Sequence, residues 1–170
     1  KNTEYYKFEE KLRHIGFKDD MSKDAPICRW IYNNIKVDVM PTNEEILGFS
    51  NKWYKKGMQN AISKKLPSGK DISIFSLPFF IATKLEAYKG RGEKDYRLSH
   101  DIEDIILVLD SQIDFNKFDD CIEYMKQHLK NEFQMLVENE LFIESIKAHL
   151  GGGMTSEARV MRIINFMKKK

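Results

Sequence analysis

The chain has 170 residues, is 42% hydrophobic and 32% charged, and carries a formal net charge of +2. That length suits one domain with a real core, or a core plus a small helical appendage. No window approaches the roughly 18 consecutive apolar residues of a membrane-spanning helix, and two cysteines, Cys28 and Cys121, are too few for a disulfide framework or a metal cluster.

The opening residues, "KNTEYYKFEEKL", are polar and helix-like rather than a signal peptide. A cytoplasmic location with no membrane partner is therefore expected. The first residue is Lys rather than Met, so a fragment of a longer product is also expected. Over residues 3–14, Tyr5, Phe8 and Leu12 form a helical face that ends at Gly16. "FKDDMSKDAP" reads as a polar connection. Two β-rich runs, 27–32 and 35–40, flank Asn33-Asn34 and predict a tight hairpin, because Asn tolerates positive φ. A short helix is expected near 54–65, then a turn at "PSG" and a strand in "KDISIFSLP". Pro78 opens a helix that Gly90 stops. After the charged loop "RGEKDYR", Ser99 caps "HDIEDIILVLD", whose acids lie in the first turn. Residues 116–130, 132–149 and 155–169 each carry helical periodicity, with "GGG" before the last and "KKK" at its end. Charge is uneven along this order. Residues 52–97 hold eleven Lys and Arg against four acids, a surplus of +7 that suits phosphates or nucleic acid.

"IKVDVMP" places Asp38 between two valines, although strand interiors are depleted in Asp. A two-residue hairpin resolves this. Tyr32 faces Ile35, Ile31 faces Lys36, Trp30 faces Val37 and Arg29 faces Asp38. One face then collects Cys28, Trp30, Tyr32, Ile35, Val37 and Val39 as the core side. Asp38 shares the other face with Arg29. A cross-strand ion pair explains the two residues structurally. A metal-binding or general-base carboxylate on a rigid strand is the functional alternative.

A second constellation lies in "ATKLEAYKGRGEKDYRLSHDIEDI". It sets Lys84 on one helix, a basic loop with Arg91, Lys94 and Arg97, and Asp101, Glu103 and Asp104 on the next helix. Asp101 lies beside the stripe Ile102, Ile105, Ile106 and Leu109, with Asp104 further round. A Lys facing an acid there orients phosphates or moves a proton. A helix–helix salt bridge is the structural alternative. "GFSNKWY", 48–54, either stacks a base or caps the core. His14 and His100 lack metal-ligand spacing.

The runs "IKVDVMPTNEEILGFSNKWY" and "LPFFIATKLEAYKGRGEKDYRLSHDIEDII" resemble the AbiEii-type nucleotidyltransferase family, over roughly residues 8–112. This family belongs to the DNA polymerase β-like superfamily, with AbiE and MenT toxins as relatives. The resemblance implies an α+β fold: a small mixed or antiparallel sheet flanked by helices, followed by a helical C-terminal half. It divides the chain into a nucleotidyltransferase-like core, 1–112, and a helical region, 113–170. It implies transfer of a nucleoside monophosphate from an NTP to an acceptor such as RNA or tRNA, with Mg2+ as cofactor and an antitoxin as a further partner. Asp38 then matches the later-strand metal carboxylate, and Lys84 the lysine near the nucleotide phosphates. Asp101 or Asp104 matches the acid of the following helix, Asp101 being preferred for its place beside the core stripe. Arg91, Lys94, Arg97 and Asp104 are further candidate substrate contacts, as is Arg29, which hairpin geometry alone suggests. One family feature is missing: no Gly-Ser turn followed by DxD occurs in these residues. The family places that motif ahead of the first helix. Without it this chain is expected to be inactive or nearly so, and a catalytically degenerate module binding nucleotide, RNA or a partner is the alternative.

Overall fold

The computed structural model describes residues 2–48, 50–91, 95–111, 118, 121–151, 153 and 156–170. These form an α+β chain with eight helices and two small antiparallel sheets, and its C-terminal half is helical. None of the described helices is long and apolar enough to cross a membrane. The chain divides into two compact units, Lys1–Asn51 and Lys52–Lys170.

The first unit holds α1 (Asn2–His14), β1 (Lys18–Asp19), β2 (Arg29–Tyr32), β3 (Ile35–Asp38) and α2 (Glu44–Leu47). Asn33 and Asn34 take φ of 48° and 65°, the left-handed pair that a two-residue turn requires. The β2–β3 register follows as expected, Arg29 opposite Asp38 and Trp30 opposite Val37. Burial on the inner face fades toward the turn. Cys28 and Trp30 are buried, Val37 and Val39 half-buried, and Tyr32 and Ile35 exposed. The expected core side is therefore a core only at its base. The helical face of α1 is trimmed in the same way: Leu12 is buried, Tyr5 half-buried and Phe8 exposed. The connection expected at "FKDDMSKDAP" contains β1, which pairs Lys18 with Ile31 and Asp19 with Trp30. Arg13 clamps it by donating to both Asp19 oxygens at 3.3 and 3.2 Å.

The second unit holds α3 (Tyr54–Gln59), β4 (Ile62–Lys65), β5 (Asp71–Ile74), α4 (Leu77–Gly90), α5 (His100–Ser111), α6 (Glu123–Val137), α7 (Glu140–Leu150) and α8 (Ser156–Lys169). The helix expected over 54–65 stops at Gln59. Asn60 caps it, its side-chain amide donating to the Lys56 carbonyl at 2.8 Å, and the residues beyond become β4, paired with β5. The expected breaks in the C-terminal half also move. Apolar periodicity runs through residue 131, and the chain turns instead at Asn139. Its side-chain oxygen accepts from the Leu141 and Phe142 amides at 3.0 and 3.3 Å and so starts α7.

Five helices bury one continuous core. It includes Phe79, Ile81 and Leu85 from α4, Ile102, Ile105, Ile106 and Leu109 from α5, and Phe133, Phe142, Ile163 and Phe166 from α6 to α8. Helices on either side of residue 112 thus share the same interior, with α5 packed against both α7 and α8.

Candidate functional site

In the first unit, the hairpin brings Arg29 onto Asp38 as a parallel fork. Nε donates to Oδ1 at 2.7 Å and Nη2 to Oδ2 at 2.9 Å. These hydrogen bonds hold the Asp38 carboxyl below its usual range, against the opposing pull of burial. Both oxygens face a guanidinium, and the Asp38 side chain remains 42% exposed.

In the second unit, α4 and α5 pack side by side and carry a four-membered network. Ser99 precedes α5, and Asp101 stands in its first turn, where the amide dipoles favour an anion. Asp101 is 2% exposed. One of its oxygens accepts from Lys84 Nζ at 3.2 Å, the other from Arg91 Nη1 at 2.8 Å. The same Lys84 amine lies 2.5 Å from Asp104 Oδ2. Burial alone would favour neutral Lys84. The hydrogen bonds and charges of Asp104 and Asp101 outweigh it, and the amine's pKa rises. Lys84 is therefore a fixed cation at neutral pH and is unsuited to general-base work. Asp101 and Asp104, alternatives in the sequence, both engage this one lysine.

The other expected residues fall elsewhere. Arg97 folds back on Asp95, donating at 3.1 and 2.9 Å, and its hydrogen bonds draw Asp95 down to about 2. Lys94 lies outside the described residues. Trp53 is 2% exposed, packed against Phe79, Tyr124 and His128, so this part of "GFSNKWY" closes the core and offers no face to a base. His100 pairs with Glu103 on the α5 surface.

The donor set does not by itself compose a magnesium site. Among the described residues no group of three His, Cys, Asp or Glu side chains is placed to hold a metal ion. Asp38 has its two oxygens turned to Arg29 rather than to a second carboxylate. What these residues can do is present fixed cations. Asp101 orients two of them, Lys84 and Arg91, at the start of a helix.

A second polar cluster lies outside the residues expected from the sequence. Glu132, buried on α6, accepts from Lys89 at 2.5 and 2.6 Å, with His128 one turn away at 4.0 Å. The signal was present as a carboxylate inside an apolar helical stripe. Compared with known proteins, the chain matches no family model, no curated protein and no solved structure.

Proposed function

We propose that this chain is part of an AbiEii-type nucleotidyltransferase that moves a nucleoside monophosphate from an NTP to an RNA acceptor, as the toxin component of a toxin–antitoxin pair. The observation that carries the reading is the Lys84–Asp101–Arg91 network at the start of α5. A buried carboxylate that fixes two cations prepares a phosphate-binding position in advance, which is what phosphoryl transfer asks of a protein. Lys84 would meet a phosphate oxygen in exchange for the half-exposed Asp104, and Arg91 would meet another, while Asp101 holds both cations in place.

A second reading is a binding module of the same fold without transfer activity. The Arg29–Asp38 fork favours it, because the strand acid is already neutralised by a cation. The codons ahead of Lys1 separate the two readings: a Gly-Ser turn followed by DxD supports the enzyme, and its absence supports the module.

Calorimetric titration with each NTP tests the shared premise. The chain should bind an NTP, and Lys84→Met should weaken that affinity at least about tenfold, as loss of one charged hydrogen bond to phosphate implies. Equal affinity in the two proteins would remove the phosphate role from Lys84. With labelled NTP, magnesium and tRNA, this chain alone should transfer little; robust labelling would show that no further carboxylates are needed.

A further inference from the structure

We propose that the end of α8 and the neighbouring side of α6 form a docking surface for the phosphate backbone of RNA. Three clefts meet where α8 ends. One, of about 140 Å3, is lined by Phe118, Lys126, Leu129, Lys169 and Lys170. A second, of about 280 Å3, includes Lys130, Gln134, Lys168 and Lys170. A third, of about 430 Å3, is lined by Arg162, Asn165, Phe166, Lys169 and Lys170. Together their walls carry five lysines and one arginine against a single carboxylate, Glu138, which is itself bonded by Gln134. Arg162 is held by Asp110, so Lys126, Lys130, Lys168 and Lys169 carry the surplus. Lys126 reaches Glu123 only at 3.9 Å. Among the described residues, no carboxylate lies within ion-pair distance of Lys130, Lys168 or Lys169.

Compensation of the helix dipole accounts for Lys168 and Lys169 in the last turn of α8. It does not account for Lys126 and Lys130. They stand in the interior of α6, four residues apart on one face, a like-charge spacing that weakens a helix rather than supporting it. Two helices thus bring lysines to common clefts, and Lys130, Lys168 and Lys169 have no carboxylate in reach among the described residues, a charge pattern complementary to a polyanion.

The shape favours a nucleic-acid backbone over a lipid surface. Membrane binding by a basic patch is strengthened by apolar side chains that enter the interface. Here the apolar lining residues Phe118, Leu129, Phe166 and Met167 are buried, and Val137 is half-buried. Clefts walled by lysine from two helices let a phosphodiester be met from both sides. Lysines meet phosphate oxygens as point charges, so binding is expected to depend strongly on salt and weakly on sequence. The choice of RNA over DNA rests on the proposed acceptor; the surface itself is distinct from the Lys84 network.

Fluorescence anisotropy with labelled oligouridylate and with a tRNA transcript tests the proposal. Replacing Lys126, Lys130, Lys168 and Lys169 together by Gln should lower affinity for both RNAs at least about tenfold at 0.1 M salt. On a single strand, the slope of log K against log salt should fall by about 3, at roughly 0.7 for each phosphate left without its lysine. The fourfold Lys→Arg variant should keep wild-type affinity and a native circular dichroism spectrum. Lys84→Met should retain RNA binding, because it does not touch these clefts. Unchanged affinity in the Gln variant would overturn the proposal. So would equal loss in Lys84→Met, or binding to phosphatidylserine vesicles without binding to RNA. If RNA binding fails while NTP still binds through Lys84, the acceptor surface is wrong and the nucleotide reading stands.

Discussion

Asp38 and Asp101 each accept two charged hydrogen bonds, yet the units that carry them differ in kind. Asp38 stands on a short hairpin whose inner face is closed only at Cys28 and Trp30, and one arginine supplies both donors. Asp101 stands on a helix whose neighbours Ile102, Ile105 and Ile106 are fully buried, and two cations converge on it, Lys84 on α4 and Arg91 at that helix's C-cap. The bond lengths are alike; the dielectric surroundings are not. An exposed fork is largely screened by water, whereas a buried carboxylate depends on its partners to remain charged. The comparison teaches that the position of an ion pair, more than its geometry, decides how much the fold relies on it.

Two tryptophans make this contrast measurable, Trp30 in the first unit and Trp53 in the second, both buried. Each can report urea unfolding of its own unit with the other replaced by Phe. The largest effect is expected from Asp101→Ala. It removes two charged hydrogen bonds at a buried position, leaves Lys84 on Asp104 and returns Arg91, 58% exposed, to water, and should lower stability reported by Trp53 by about 2–3 kcal/mol. A loss under about 1 kcal/mol would show that water reaches the site and the contrast is false. Lys84→Met should cost about 1–2 kcal/mol, because Arg91 still pairs with Asp101. Asp38→Ala should change the Trp30 transition by no more than about 1 kcal/mol, and by less as salt is raised. The smallest effect is a titration. Asp95 falls from 3.8 to about 2 through its hydrogen bonds from Arg97. Its folded pKa is depressed, so the pairing contributes above the unfolded value and is lost as pH falls through the folded one. Carboxyl NMR shifts should place the Asp95 midpoint near 2, and a midpoint near 3.8 would mean that the Arg97 pair is open in solution.

The hairpin was legible because two signals agreed: strand alternation and an Asn-Asn pair suited to positive φ. Together they set the register and hence the Arg29–Asp38 pairing. The α4 and α5 boundaries were legible from Pro78, Gly90 and Ser99. Other elements were hidden for identifiable reasons. Lys18–Asp19 has no strand propensity, and it is a strand only because β2 offers it an edge. "ISKK" likewise becomes β4 through pairing with "DISI", a partner that local pattern cannot reveal. Asn139 overrode an unbroken apolar period because its side chain can cap. In the candidate site, Lys84 opposite Asp101 followed from helical spacing. Arg91 reaches Asp101's second oxygen from the C-cap of α4, two turns past Lys84 on the same face, so the same spacing carried it although the charged run after Gly90 reads as loop. The short terminal lysine run gained its meaning only when α6 placed Lys126 and Lys130 beside the same clefts.

The strand order of the first unit has a consequence for exchange with solvent deuterium. With Tyr32 and Ile35 paired next to the turn, the amides of Ile35 and Val37 point into the ladder with β2. The Val39 amide continues the series by donating to the Cys28 carbonyl at 2.8 Å. The intervening amides, Lys36 and Asp38, point to the outer edge of β3, where no further strand pairs among the described residues. Protection along "IKVDV" should therefore alternate residue by residue. The amide of Asp38 should be among the fast ones, even though its side chain is the best-anchored on the strand.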